Sequence, residues 1–319
     1  MDLAIVDGRY GMIILGAGLS GLLAARSLHQ YDPIIIEKQS SLPNNHSALL
    51  RFRDGEVARL TGLPFREVTV YKAVLLEDGT VTNNPTIREF NAYSVKATGQ
   101  VSERSIINLS TSKRYIAPHN LVELLGNKAQ IQYNINAKQH LKFRIDQEPI
   151  ISTIPMPELM VALDYPKSIP FQYKTIWTVN AELIGVDVYQ TLYCPYITEH
   201  PYRVSITGNK MTLEFAQEPE HWEPHVEYYL DKLFPNWWTG VEVKDIRLKK
   251  QEYGKIIPVS DNARQSFMLW ATDNHNVYSL GRYATWRQIL LDDLVKDISI
   301  INRWITQRNS YDRRKDTLI

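Results

Sequence analysis

The chain has 319 residues, 44% of them hydrophobic and 22% charged, a composition typical of an ordered globular protein and unlike a disordered one. Lysine and arginine (36) nearly balance aspartate and glutamate (35), so the net charge of +1 does not indicate nucleic acid or an anionic membrane, although a local basic patch leaves DNA possible. Cys194 is the only cysteine in the sequence, which excludes an internal disulfide and a cysteine-based zinc site.

The N-terminal sequence has no basic stretch before its first apolar run, unlike a signal peptide. No apolar run reaches the roughly 18 residues that span a bilayer. We therefore expect a cytoplasmic protein without a membrane partner, and the single cysteine fits a reducing compartment.

The first predicted element is a buried parallel strand over residues 12–15, which are all apolar. Gly16, Gly18 and Gly21 follow it in the pattern G-x-G-x-x-G. The first glycine permits a tight turn, the second lets backbone approach a pyrophosphate, and the third lets a helix pack closely on the strand. A helix is predicted over residues 19–30, with its N-terminal amides facing the phosphates.

A second buried strand, residues 34–36, ends at Glu37. A carboxylate at this point accepts hydrogen bonds from ribose hydroxyls and repels a 2′-phosphate, which disfavours NADP. The order of strand, glycine loop, helix, strand and acid predicts a bound dinucleotide and by itself fits NAD or FAD equally. The residues predicted to hold it are Gly16, Ala17, Gly18, Leu19, Ser20, Gly21, Glu37 and Lys38.

The middle of the chain is predicted to form mainly strands. A hairpin is predicted over residues 68–82, with Asp78 and Gly79 at its turn. Four further strands are predicted over residues 176–179, 186–193, 203–207 and 211–215, and a helix over residues 223–234. These elements indicate a mainly antiparallel layer.

A second motif near the other end favours FAD over NAD. Residues 277–280 predict a strand that runs through Gly281 and Arg282 into a helix whose apolar residues begin at Ile289. Such a helix start would face a second anion, and Arg282 would pair with a pyrophosphate or with a flavin carbonyl that becomes anionic on reduction. Trp286 would shield the flavin or stack on substrate, or else be a buried aromatic.

Both motifs together resemble the UDP-galactopyranose mutase and amine oxidase group of FAD enzymes. The resemblance is carried by the loop "GAGLSGL" with an acid ending the second strand and by a C-terminal "GR" followed by an aromatic: Gly16, Gly18, Gly21, Glu37, Gly281, Arg282 and Trp286. Three more stretches, residues 116–135, 150–160 and 254–262, are similar to that group. His46 matches a histidine in a loop that follows the second strand, which implies contact with flavin N5 or proton transfer; the alternative is a loop histidine that bonds nearby backbone.

The resemblance implies an α/β fold, with an FAD-binding Rossmann-like doubly wound sheet and an inserted, mainly antiparallel β substrate domain. We expect the FAD-binding domain to comprise residues 1–60, 114–160 and 252–319, and the substrate domain residues 61–113 and 161–251. The sequence leaves the oligomeric state open.

Candidate substrate contacts follow the second strand and lie in a polar stretch farther on: Arg51, Tyr93, Lys96 and Arg104. Arg51 and Arg53 would point the same way, toward a phosphate or carboxylate, or form a plain surface pair. The stretch 91–109 also resembles compact phage-encoded members of the group, which are associated with amino-acid-derived groups on thymidine in phage DNA. Histidine spacing does not indicate a metal site.

These observations predict an FAD-dependent oxidoreductase acting at a carbon bearing an amine or hydroxyl of a small or nucleotide-linked substrate. The alternative is a flavin-dependent isomerase without net redox, acting on a sugar nucleotide or on an amino-acid-modified thymidine. A non-enzymatic nucleotide-binding module is a third hypothesis, disfavoured by the unbroken cofactor motifs. His46, Arg282 and Trp286 are the candidate catalytic residues.

Overall fold

The computed structural model describes residues 11–42, 50–101, 109, 111–142, 148–196, 199–234, 240–307, 313 and 316. Its helices are α1 (Leu19–Ser27), α2 (Glu56–Thr61), α3 (Ile87–Thr98), α4 (Leu121–Gly126), α5 (Ala137–Lys142), α6 (Met156–Ala162), α7 (Glu223–Leu233), α8 (Asp261–His275) and α9 (Asp293–Thr306). Its strands are β1 (Ile13–Leu15), β2 (Ile34–Ile36), β3 (Arg51–Phe52), β4 (Arg66–Leu75), β5 (Val81–Thr82), β6 (Ser112–Ile116), β7 (Gln130–Gln132), β8 (Ile150–Ser152), β9 (Gln172–Ile184), β10 (Val188–Tyr193), β11 (Arg203–Gly208), β12 (Lys210–Phe215), β13 (Glu242–Ile257) and β14 (Val277–Ser279). Within these described ranges, no helix is both long and apolar enough to cross a membrane.

The chain divides into two compact units, each built from separate segments. The first unit comprises Met1–Arg66, Tyr115–Gln172 and Pro258–Ile319, and the second comprises Glu67–Arg114 and Tyr173–Ile257. Residues 161–172, which the sequence-based boundaries assign to the substrate domain, fall in the first unit.

Aromatic packing explains that difference. The Tyr165 ring lies 5.0 Å from that of Phe267 and 4.9 Å from that of Trp270, both on α8. Residues 252–257, which the sequence-based boundaries assign to the FAD-binding domain, belong to the second unit because β13 continues unbroken to Ile257.

The first unit contains a five-stranded sheet in the order β14-β8-β1-β2-β7, whose neighbouring strands all pair in parallel. Its central strand reads Ile-Ile-Leu and is fully buried, as is typical of a parallel sheet covered on both faces. Since β1 lies between β2 and β8, the segments that follow these three strands meet at one edge of the sheet.

The second unit contains the mainly antiparallel sheet, in the order β13-β9-β12-β11-β10-β4-β6, with β5 paired to β4. The β4/β5 hairpin turns at Gly79, whose φ of +84° suits the turn that was predicted there. Apolar side chains of β9 to β12 pack with Val226, Tyr229 and Leu230 of α7 in one core cluster. Parallel and antiparallel sheets together confirm the predicted α/β fold class.

Candidate dinucleotide-binding site

The turn from β1 into α1 requires glycine at two of the three motif positions, Gly16 and Gly21. Gly16 has a φ of +97°, and a Cβ there would lie 2.6 Å from the hydroxyl of Thr153. A Cβ on Gly21 would lie 2.0 Å from the carbonyl oxygen of Gly16. These close approaches pack α1 directly against the end of β1, as the motif predicts.

Gly18 has a different role, because a Cβ there would meet nothing within 4 Å. This glycine therefore borders open space, in which a ligand can approach the backbone. It is also the N-cap of α1 and has no side chain with which to cap the helix. The N-terminal amides of a helix attract anions, so this end of α1 is suited to a phosphate group.

Glu37 is held in place by backbone donors from both sides. Its Oε2 accepts a hydrogen bond of 2.8 Å from the Ala17 amide, and its Oε1 accepts one of 2.9 Å from the Gln39 amide. The carboxylate thus links the glycine loop to the end of β2. Glu37 also lines a cavity, where its remaining lone pairs can accept hydrogen bonds from a ligand.

Two cavities of the first unit meet at the glycine loop. The Glu37 cavity has a volume of about 580 Å³ and is lined by Gly18, Glu37, Lys38, Asn136, Thr153 and Glu158, among others. The Arg282 cavity has a volume of about 360 Å³ and is lined by residues that include Gly18, Ser20, Arg51, Phe52, Thr153 and Arg282. Because Gly18 and Thr153 line both, the two cavities adjoin at the N-terminus of α1.

Thr153 is a residue of this site that sequence reasoning did not single out. Its hydroxyl donates to the Leu15 carbonyl at 2.7 Å, and its amide donates to the same oxygen at 2.9 Å. The hydroxyl therefore fixes the point where β1 enters the glycine loop. The only signal in the sequence was a threonine placed directly after a buried strand, in "IISTIP".

The C-terminal motif, Gly281 and Arg282, also forms a glycine turn, which we call the rear turn. It lies close to Ser20 in the first turn of α1. Gly281 has a φ of +95°, and a Cβ there would lie 2.6 Å from the Ser20 hydroxyl. Thr285 closes the turn, since its amide and its hydroxyl both donate to the Gly281 carbonyl, at 2.9 and 2.8 Å. The two motifs at opposite ends of the sequence therefore meet in one site.

The helix predicted after this turn is present as α9, but its predicted start is wrong, because α9 begins only at Asp293. Trp286 takes a left-handed backbone conformation, with a φ of +48°, which ends the helical path after one turn. Its indole is 1% exposed and packs against Phe171 at a ring separation of 4.8 Å. Trp286 is thus a buried aromatic here, and the C-terminal motif offers a turn rather than a second helix N-terminus.

The two arginines expected to act together have different surroundings. Arg51 lines the Arg282 cavity. Arg53 instead donates through its amide to Asp292 at 2.8 Å and through its guanidinium to Asp293 at 2.6 Å. Arg53 therefore joins β3 to the start of α9, which leaves Arg51 as the one of these two arginines that faces this site.

Two of the remaining predicted contacts, Tyr93 and Lys96, belong to the second unit. His46 and Arg104 lie outside the described residues. Tyr93 is 7% exposed in a core cluster of the second unit, and the Lys96 ammonium is bonded to backbone carbonyls of that unit. Within the part of the chain that the structure describes, no three His, Cys, Asp or Glu residues are grouped to hold a metal ion.

Known structures share this fold at low sequence identity. The chain is similar to a reduced UDP-galactopyranose mutase (TM-score 0.63, 12% identity, 95% of this chain and 96% of that one). It is also similar to a geranylgeranyl bacteriochlorophyll reductase-like protein from Thermoplasma acidophilum (0.56, 11%, 94% and 79%). A third similar structure is aklavinone-11 hydroxylase in complex with FAD and aklavinone (0.53, 11%, 95% and 64%). No protein-family model and no curated protein sequence matches the chain.

Proposed function

We propose that this chain is an FAD-dependent enzyme. The observation that carries the proposal is the pair of adjoining cavities that share Gly18, with Glu37 lining one and Arg282 the other. A dinucleotide is elongated, anionic at its middle and rich in ribose hydroxyls at one end. The two adjoining cavities suit each of these properties, and one of the fold's neighbours was solved with FAD.

Each part of the cofactor has a proposed partner in the chain. Glu37, already oriented by the Ala17 amide, would accept hydrogen bonds from the adenosine ribose. The amides at the start of α1, from Leu19 to Gly21, would face the pyrophosphate, and Lys38 would add positive charge in the Glu37 cavity. Arg282 would bring its guanidinium to the other end, where a cation stabilises developing negative charge.

The proposed reaction is oxidation or reduction at a carbon bearing an amine or hydroxyl of a small or nucleotide-linked substrate. FAD supplies the hydride chemistry, and the chain supplies binding, orientation and electrostatics. Arg51, in the wall of the Arg282 cavity, is proposed to bind an anionic group of the substrate. Roles for His46 in proton transfer and for Arg104 in substrate binding stay predictions.

A flavin-dependent isomerase is the second candidate, favoured by the mutase that matches 95% of this chain over 96% of its own length. A sugar nucleotide is its proposed substrate. The modified thymidine of phage DNA stays a prediction that rests on the stretch 91–109 alone. Turnover that requires prior reduction by dithionite and consumes no electron acceptor would support the isomerase, and turnover coupled to consumption of an acceptor would support the oxidoreductase.

The proposed cofactor site is tested by Glu37→Ala. Because this substitution removes a charged acceptor for ribose, we expect the FAD dissociation constant to rise at least about tenfold, measured by quenching of flavin fluorescence. Glu123→Ala, at an exposed position of α4 in the same unit, is the matched control and should leave the constant unchanged. Equal affinities for the Glu37→Ala variant and the unmodified chain would contradict the ribose assignment.

A further inference from the structure

A third cavity, the Lys96 cavity, lies entirely within the second unit. Its volume is about 610 Å³. It is bordered by α3, by the first residues of β9, and by the segments that follow β10 and β12. None of its lining residues lines the Glu37 cavity or the Arg282 cavity, so its lining is distinct from theirs.

Part of the lining of this cavity is apolar. It is formed by Ala92, Val95, Ile176, Pro195 and Ala216. Val95 is 47% exposed, which leaves an apolar side chain of α3 open to a ligand. Ligand sites combine such apolar walls with a few convergent polar groups.

Tyr196 adds an aromatic side chain whose position is fixed. Its hydroxyl donates to Glu89 at 2.6 Å, and the Arg88 guanidinium lies 5.5 Å from the centre of its ring. Glu89 is itself part of the capping box at the start of α3. The ring is therefore held in place before any ligand arrives, which reduces the entropy lost on binding.

The charge of the lining is uniformly positive. Lys96 and Lys174 are among the described residues that line the cavity, and no carboxylate is. The Lys96 ammonium donates to the carbonyls of Cys194 at 2.9 Å, Tyr196 at 2.6 Å and Pro201 at 3.2 Å. Burial lowers the pKa of Lys96 to about 8, so it still carries its charge at neutral pH.

Lys174 places a second cation at the same end of α3, since a Cβ on Gly99 would lie 2.1 Å from its ammonium. Unlike Lys96, Lys174 has an exposed side chain that can turn toward a ligand. Asn91, Thr175 and Gln217 add neutral hydrogen-bonding groups to the lining. Two cations beside an apolar wall attract a molecule that is both anionic and apolar.

We propose that the Lys96 cavity is a binding site for a small organic anion with a flat apolar body, such as an aromatic carboxylate. Its ring would lie on the Val95 and Ile176 surface beside Tyr196, and its carboxylate would be drawn to Lys174 and to the fixed charge of Lys96. The inference does not require FAD, so the two proposals can fail separately.

The test uses two matched probes, naphthalene-2-carboxylate and the uncharged naphthalene-2-carboxamide, titrated calorimetrically into the full chain. We expect the carboxylate to bind about tenfold more tightly than the carboxamide, because only the anion gains from the two cations. Lys174→Gln should weaken carboxylate binding about fivefold and leave carboxamide binding unchanged. Lys210→Gln, at an exposed position of β12, is the control and should change neither.

Two variants that place a tryptophan side chain in the Lys96 cavity test where the probes bind. Ala92→Trp should abolish binding of both probes, and Val95→Trp, at a more exposed position of the same wall, should do so even if the first variant fails to fold. Thermal unfolding identifies the variants that are folded. Equal affinity for the two probes, or carboxylate binding that survives Val95→Trp, would overturn the proposal.

Discussion

At the scale of single residues, we expect Gly21 to be required for folding and Gly18 for ligand binding. Gly21→Ala should lower the free energy of unfolding by about 2 kcal/mol, because its Cβ would overlap a backbone carbonyl. Gly18→Ala should change it by less than about 1 kcal/mol, since that Cβ meets only open space. Urea denaturation of the two FAD-free variants measures both values.

We expect Gly18→Ala, which has little effect on stability, to have a large effect on FAD affinity. The Cβ of Gly18→Ala would project into the space assigned to the pyrophosphate, so this stable variant should lose FAD binding at least about tenfold. A Gly18→Ala chain that binds FAD as tightly as the unmodified chain would contradict the assignment of phosphates to this loop.

Thr153 should act on cofactor affinity through the loop rather than through direct chemistry. Thr153→Val keeps the shape and removes the hydroxyl that donates to the Leu15 carbonyl. We expect FAD affinity to fall about fivefold, as for the loss of one hydrogen bond. Thr153→Ser retains the donor and should restore affinity, as measured by flavin fluorescence; a serine variant as weak as the valine variant would count against a role for the hydroxyl.

At this site, contacts between residues close in sequence were predictable, and contacts between residues far apart in sequence were not. Gly16, Gly21 and Glu37 were predictable because a fixed local spacing places them around one turn. Thr153 was not, because its contact with Leu15 exists only once β8 pairs beside β1. Trp286 has neighbours, such as Phe171, that no local pattern identifies.

At the scale of elements, the helix expected after Gly281 shows where periodicity misleads. The apolar residues from Ile289 to Ile298 fit a helical period, yet α9 starts at Asp293. The Asp293 carboxylate accepts a hydrogen bond from the Leu290 amide at 2.8 Å and another from Arg53, the residue after β3, so these contacts hold the start of the helix. The pattern predicted the element, and tertiary contacts set its start.

The packing of α7 should be sensitive to acid. His225 of α7 and His200 lie with ring centres 4.7 Å apart, and His200 is hydrogen-bonded to Tyr229 at 2.9 Å. Burial, with nearby Lys96, lowers the pKa of both histidines below the ordinary value near 6.5. The unfolded chain therefore binds more protons than the folded one below that pH, and the stability they contribute is lost as the pH falls from about 6.5.

Hydrogen exchange at the amides of α7, compared at pH 7.5 and pH 5.5 after correction for intrinsic rates, measures this effect. We expect protection to fall on acidification and the fall to shrink in the His225→Gln variant. His221→Gln, at an exposed position near the start of α7, is the control and should behave like the unmodified chain. Protection of α7 that does not depend on pH would show that the two histidines do not control this packing.

At the scale of the whole molecule, one unit is assembled from three separate stretches of chain. The first unit gathers the glycine loop, Thr153 and the rear turn, which lie more than a hundred residues apart in sequence. The likeness between two short end motifs and one enzyme group was enough to predict the fold class. The exact boundaries were not predictable, because side-chain packing such as that of Tyr165 on α8 sets them.

The central proposal is that these stretches form a single site for FAD. Its most direct measurement is the visible absorption spectrum of the full chain after equilibration with FAD and gel filtration, with the flavin quantified after denaturation. We expect a yellow protein that retains one flavin per chain. A colourless protein that retains no flavin, or that takes up a nicotinamide dinucleotide in its place, would contradict it.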